Sequence, residues 1–199
     1  MTPKHIAFAL GLTALGGITA AQAEGELNIY NWASYTPPEL IEKFEQETGI
    51  KVTIDTYDSN ETLLAKLMAG GGGYDIIVSS HGFIPIYIGE GLIQPIDLAG
   101  MSNAGNIDPK LVGASWDPEG NYVVPYQWGT TSFAVDTAVY GEPVDSFSAL
   151  FEPPEALQGK IGMFKSGSDL IALAETYLGV PFCSEDPAEM SKVLELLKQ

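Results

Sequence analysis

The sequence predicts an α/β fold built on a parallel, doubly wound sheet. Three observations predict it. Short β-prone runs alternate with amphipathic helical runs from residue 26 to residue 79, the rhythm of a parallel sheet with crossover helices. Residues 75–79 (DIIVS) carry the unbroken apolar run Ile76-Ile77-Val78, as a strand covered on both faces requires. After Asp136 the alternation restarts, so a second α/β lobe is expected to begin near Phe133.

Residues 26–31 (ELNIYN) form the first expected strand. Thr36, Pro37 and Glu39 then supply an N-cap, a first helical residue and a capping box. Leu40, Ile41 and Phe44 share one face of that helix, and Gly49 stops it. Residues 51–57 alternate, with Val52 and Ile54 on one side, as a second strand does. Asn60 is placed to cap a helix carrying Leu63, Leu64, Leu67 and Met68, and the glycines at 70–73 end it. The third strand is 75–79. Residues 91–122 read as loop with short helical pieces. Residues 122–125, 130–135 and 160–164 read as further strands, and 147–151, 168–178 and 187–198 as helices, with Gly179 ending the second of these. The chain reaches residue 199 inside a helical pattern, so the second lobe is expected to be incomplete in it. The organisation expected is 1–23 leader, 24–132 first lobe without its C-terminal return, and 133–199 the start of the second.

Residues 1–23 read as a cleavable export signal. Lys4 and His5 open it, 6–18 form an apolar run too short to span a bilayer comfortably, and Ala21-Gln22-Ala23 is a small-x-small cleavage site. No Cys follows the run and no second long apolar run exists, so a soluble, periplasmic mature chain is expected. Charge points the same way as to class. There are 26 acidic residues against 9 basic ones, all lysine, for a formal charge of −17. Removing the leader takes away Lys4 and no acid. So acidic a chain disfavours nucleic acid as a partner, since that binding rests on basic contacts to phosphate. A cationic ligand suits it, because negative potential concentrates cations, although acidity also serves solubility alone. The single Cys183 has no partner for an internal disulfide. No GxSxG, GK[ST]-ended phosphate loop, HExxH or CxxC motif is present. Signals for catalysis are therefore weak: acids are plentiful but show no pairing that the sequence can certify, and no cofactor or catalytic residue is expected.

Ligands of such sheets sit beyond the carboxyl ends of strands, which directs attention to four stretches. Tyr30-Asn31-Trp32-Ala33-Ser34-Tyr35 clusters aromatics after the first strand. Their faces suit the methylenes and ammonium of a diaminoalkane, and also suit ordinary core packing. In Ser79-Ser80-His81-Gly82-Phe83, Ser80 either orients an ammonium or caps the next helix, and His81 reads as a solvated loop residue. In Pro125-Tyr126-Gln127-Trp128-Gly129-Thr130-Thr131, Tyr126 and Trp128 either line a cleft between lobes or pack the crossing. In Lys165-Ser166-Gly167-Ser168-Asp169, Asp169 either serves the helix dipole or pairs with an ammonium.

The order of YNWASY, FEQETGIKVTIDTYDSNETLLAKLMAG, YDIIVSS, GLIQPID and VPYQWGTT resembles the spermidine- and putrescine-binding proteins of ATP-driven importers. The likeness runs from Leu27 over nearly the whole mature segment. It implies a type II-like periplasmic binding fold of two α/β lobes closing about a hinge. It also implies a polyamine ligand, delivery to an inner-membrane ABC permease, and a monomer. Trp32 and Tyr35 match cleft aromatics of the family, Ser80 a serine lining the cleft, and Asp169 a position where relatives carry an amine-contacting glutamate. With Ser34 these form the expected ligand-binding set. Ala33 stands where relatives usually have a hydroxyl residue, Gly82 where some have an aromatic or serine, and Ser166 where spermidine-type relatives have an acid. Such losses favour, as an alternative, another small organic cation as ligand, taken up by a binding protein or a sensor module. Relatives continue past residue 199, and a chain ending there is expected to bind weakly or not at all.

Overall fold

The computed structural model describes residues 25–198; the leader expected at 1–23 lies outside them. Strand β1 (Gly25–Trp32) and strand β2 (Ile50–Tyr57) run parallel in unbroken register from Gly25 opposite Ile50 to Trp32 opposite Tyr57. Helix α1 (Pro38–Thr48) makes the crossover. Helix α2 (Asn60–Met68) makes the next, to strand β3 (Ile76–Ile77), which pairs parallel on the other side of β1. The order is thus β2-β1-β3. Beyond the two residues of β3 the bonding continues through Asp75 N to Asn28 O and Val78 N to Tyr30 O. Helix α3 (Ile84–Gly89) follows.

Local chemistry explains the helix ends, with two differences from expectation. Pro37, not Thr36, is the N-cap of α1, and its extended backbone makes no side-chain cap bond. Thr36 is one residue too early to serve α1 and bonds elsewhere. Gly49 ends α1 at φ 75°, where its N–H reaches Glu45 O at 2.8 Å, a left-handed stop that glycine adopts without strain. In α2 the cap is Ser59, whose hydroxyl accepts from Thr62 N at 3.1 Å. Asn60 is the first helical residue and is fully buried.

Helix α1 engages the start of the free edge of β2. Glu45 accepts the outward Val52 N–H at 2.8 Å and pairs with Lys51 at 3.1 Å. These two contacts, the Val52 bond foremost, hold the Glu45 carboxyl below the usual range, and the Val52 N–H is withdrawn from pairing with another strand.

The first core gathers Tyr30, Tyr57, Leu63, Ile84 and Tyr87, flanked by Trp32, Leu64, Leu67, Ile77 and Trp116. Tyr30 and Tyr74 stack at 4.6 Å, and the Lys66 ammonium lies 5.4 and 5.3 Å from their ring centres, which ties the end of α2 to the sheet. On α1, Leu40 and Phe44 are exposed and Ile41 is half-buried, because no described element lies over their side of the helix.

Short helices α4 (Thr137–Tyr140) and α5 (Ser148–Phe151) lead to α6 (Gly167–Leu178) and α7 (Pro187–Leu197). A second core joins Phe151, Leu173, Ala174 and Val193. Leu173, Ala174 and Tyr177 recur at the helical spacing that faces α6 toward α7 and α5. Gly179 ends α6 at φ 67°.

The strands expected at 122–125, 130–135 and 160–164 are absent among the described residues. Asp117 is buried and accepts from Asn121, Tyr122 and Val123 N–H at 3.1, 2.9 and 3.0 Å. Those amides are then spent on a carboxylate instead of a ladder. The segments at 130–135 and 160–164 have no neighbouring strand among residues 25–198 to pair with. No described helix is long and apolar enough to cross a membrane.

Leu63 has no exposed surface, so Leu63→Ala should lower stability by about 2–5 kcal/mol in urea unfolding. A cost below about 1 kcal/mol would mean that α2 does not seal the first core.

Candidate functional site

Parallel pairing brings the carboxyl ends of three strands to one edge, and the site is built there. At the end of β1, Trp32 packs on Tyr57 of β2 with ring centres 4.4 Å apart. Tyr35 closes on Trp32 from the following turn at 6.2 Å. Ser34 makes that turn in the left-handed region, at φ 61°, a conformation that strains a non-glycine residue. Ser34 is exposed, and Tyr35 is 40% exposed. Trp32 is half-buried, so the rings form a wall with one accessible side.

The wall is held from behind by polar groups. Burial, the main cause, pushes the Tyr57 hydroxyl far above its ordinary range; it stays a neutral donor and bonds to Val78 O. Buried Asn31 accepts from Trp32 N at 2.7 Å and donates to Thr36 Oγ1 at 3.0 Å. Thr36 Oγ1 lies 2.7 Å from the Tyr126 hydroxyl, which donates to Tyr35 O at 3.2 Å. One proton order satisfies all of these: Asn31 to Thr36, Thr36 to Tyr126, Tyr126 to the Tyr35 carbonyl. Of the two readings open for the crossing aromatics, Tyr126 therefore anchors the loop bearing Tyr35. Trp128 is 81% exposed.

After β3, Ser79 and Ser80 meet Asn60. Ser79 Oγ and Ser80 N both donate to Asn60 Oδ1 at 3.1 Å, and Asn60 Nδ2 donates to Ser80 Oγ at 3.1 Å. Ser79 Oγ also lies 3.2 Å from the Tyr87 hydroxyl. Ser80 is the N-cap of the short turn at 81–83 by position, with no side-chain cap bond, so its hydroxyl is not spent on capping. His81 is exposed and packs its ring 4.8 Å from that of Trp116.

The acids lie beside the end of β2. Asp58 follows Tyr57 and pairs with Lys165 at 2.9 Å, both side chains largely exposed. The bond from Lys165 is the main reason the Asp58 carboxyl sits below its usual range. Gly167 opens α6 so close to α2 that an added Cβ would lie 3.5 Å from Glu61 Oε1. Asp169 is half-buried in the first turn of α6. Trp32, Tyr35 and Ser80 thus gather at one edge, and the segment leading to Asp169 is tied to that edge through Lys165. No hydrogen bond joins Asp169 to Trp32, Tyr35 or Ser80 among the described residues.

Sequence reasoning missed Tyr57, Asp58 and Asn60. The signal for Tyr57 and Asp58 was the parallel register, which sets the end of β2 beside the end of β1. For Asn60 it was the neighbouring Ser59, an equally good cap.

A carboxyl whose pKa is lowered by a partner has the contact intact above the ordinary carboxylate pKa and loses it as pH falls through the lowered value. Asp58 should accordingly titrate below an ordinary aspartate by carboxyl NMR. Its midpoint should rise toward the ordinary value in Lys165→Met. An unshifted midpoint in both proteins would remove the pair.

The chain matches the family model of the bacterial extracellular solute-binding proteins over residues 39–199. It is 34% identical to the putrescine/agmatine-binding protein of Pseudomonas aeruginosa, covering 98% of this chain and 57% of that protein. It is 37% identical to the spermidine/putrescine-binding periplasmic protein of Escherichia coli, covering 98% and 56%. Among solved structures, the Tp0655 (TpPotD) lipoprotein of Treponema pallidum superposes with a TM-score of 0.74 at 31% identity, covering 86% of this chain and 54% of that one. The PotD substrate-binding protein of Streptococcus pneumoniae gives 0.63 at 31%, covering 87% and 53%. The chain therefore spans about half the length of the relatives it matches. Its α/β architecture is that of a periplasmic binding protein, consistent with the type II class. By its family model and its relatives, the chain belongs to the bacterial extracellular solute-binding proteins.

Proposed function

We propose that the protein captures a polyamine, putrescine or spermidine, in the periplasm and delivers it to an inner-membrane ABC permease. The observation that carries this reading is the half-open aromatic wall of Trp32, Tyr57 and Tyr35, with the exposed carboxylate of Asp58 directly after Tyr57. A flat ring accepts both methylenes and an ammonium, the latter with about 0.5–2 kcal/mol of cation–π attraction. A carboxylate must meet each amine, because a desolvated ammonium without one is strongly disfavoured. The net charge of −17 draws such cations in. The ligands for which the relatives are named, putrescine, agmatine and spermidine, support the same ligand class, and a solute-binding family implies capture without turnover.

In this reading Trp32, Ser34, Tyr35, Ser80 and Asp169 face the ligand. The lobes are 24–132 and 133–199, the latter incomplete, joined by a hinge through the crossing at 125–132. The leader at 1–23 directs export and is cleaved, and the mature protein acts as a monomer. A second reading, a different small organic cation, is favoured by Ser166. It is 2% exposed, lies 3.2 Å from Ser168 Oγ, and presents no acid where spermidine-type relatives carry one.

Calorimetric titration of the full-length protein with putrescine, spermidine and other amines is the test. Saturable heat with a polyamine is expected, and none with any polyamine would end the first reading. Trp32→Ala and Asp169→Asn should each weaken binding by more than about 1 kcal/mol. Wild-type affinity in both would mean the site lies elsewhere.

A further inference from the structure

Asn60 occupies a place where side chains are usually free. It opens α2, a position whose side chain normally reaches solvent, yet it has no exposed surface. The cap bond that position might supply is already made by Ser59. Its amide orientation is fixed by chemistry: Ser80 N–H can only donate, so Oδ1 faces it and Nδ2 faces the Ser80 hydroxyl. The hydroxyl oxygen then has one lone pair filled from the protein side, leaving its second lone pair and its O–H directed away from Asn60. A buried carboxamide with both ends bonded is a rigid support, since breaking either bond leaves a desolvated polar atom.

We propose that Asn60 is a positioning residue for ligand capture, locking Ser80 Oγ so that its one remaining lone pair accepts an N–H from an ammonium group of the ligand. This rests on the polyamine reading above. Asn60 itself does not touch the ligand. It fixes the oxygen and engages one of its lone pairs before the ligand arrives, so that less freedom is lost on binding. Ser79, bonded to the same Oδ1 and lying 3.2 Å from the Tyr87 hydroxyl, holds the other side of the amide.

A double-mutant cycle with putrescine separates this from plain stabilisation. Wild type, Asn60→Ala, Ser80→Ala and the double variant of the full-length protein are titrated by calorimetry, with the thermal midpoint read alongside. Each single variant should lose about fivefold or more in affinity. The double variant should bind no more weakly than Ser80→Ala alone. If Asn60→Ala does not fold, Asn60→Asp takes its place. It keeps the acceptor for Ser79 and for Ser80 N–H and lacks the donor to Ser80 Oγ, and its effect should likewise be non-additive with Ser80→Ala. Additive losses would overturn the proposal and leave Asn60 a structural residue. Unchanged affinity in Ser80→Ala would overturn it while polyamine capture stood. Absence of putrescine and spermidine binding by the wild type would overturn both.

Discussion

The parallel register of β1 on β2 is the constraint on which the rest of the molecule depends. Because Gly25 lies opposite Ile50 and the pairing runs unbroken to Trp32 opposite Tyr57, both strands end level, and their last aromatics meet at 4.4 Å. Side chains alternate along a strand, so a slip of one residue would turn Tyr57 to the other face and put Thr56 beside Trp32. That change would remove the wall, the Tyr57 bond to Val78 and the placement of Asp58 together. On the outer side of β2, Glu45 takes the Val52 N–H, which removes one donor from competing pairings.

Around this edge the protein uses neutral hydroxyls and carboxamides for support and keeps its carboxylates at the rim. Tyr57, Asn31, Thr36, Tyr126, Asn60 and Ser79 hydrogen-bond in a layer behind the wall. Buried neutral groups are satisfied by one another at modest expense, whereas a buried carboxylate needs a cation or several N–H donors aimed at it, as Asp117 has. Asp58 remains exposed and paired with the equally exposed Lys165, an arrangement worth little to stability in water. Such a carboxylate can exchange one ammonium for another without strain elsewhere.

Much of this was legible in the sequence, and the particular elements show why. The strands and helices from Gly25 to Ile77 followed from periodicity and glycine stops, since Gly49 adopts the left-handed conformation its position calls for, as Gly179 does at the end of α6. The runs at 122–125, 130–135 and 160–164 look like strands, yet a strand exists only where another strand answers it. Asp117 had meanwhile claimed two of the amides. Trp32, Tyr35 and Ser80 could be placed at one edge because topology alone sends strand ends there. Asn60 could not, because cap and support residues have the same composition, and only the fold shows Ser59 taking the cap. Asp169 was found by position in its helix, which places it on the first turn of α6 without fixing its distance from the wall.

The aromatic wall is also its own reporter. In a variant of the full-length protein in which Trp116, Trp128 and any tryptophan beyond residue 199 are replaced by Phe, Trp32 alone is left, and its fluorescence reads the wall directly. Titrating the full-length variant with putrescine should change Trp32 emission saturably, with the midpoint found by calorimetry. Heat of binding with an unchanged Trp32 spectrum would contradict the account, because the amine would then lie away from the edge where the two strands end.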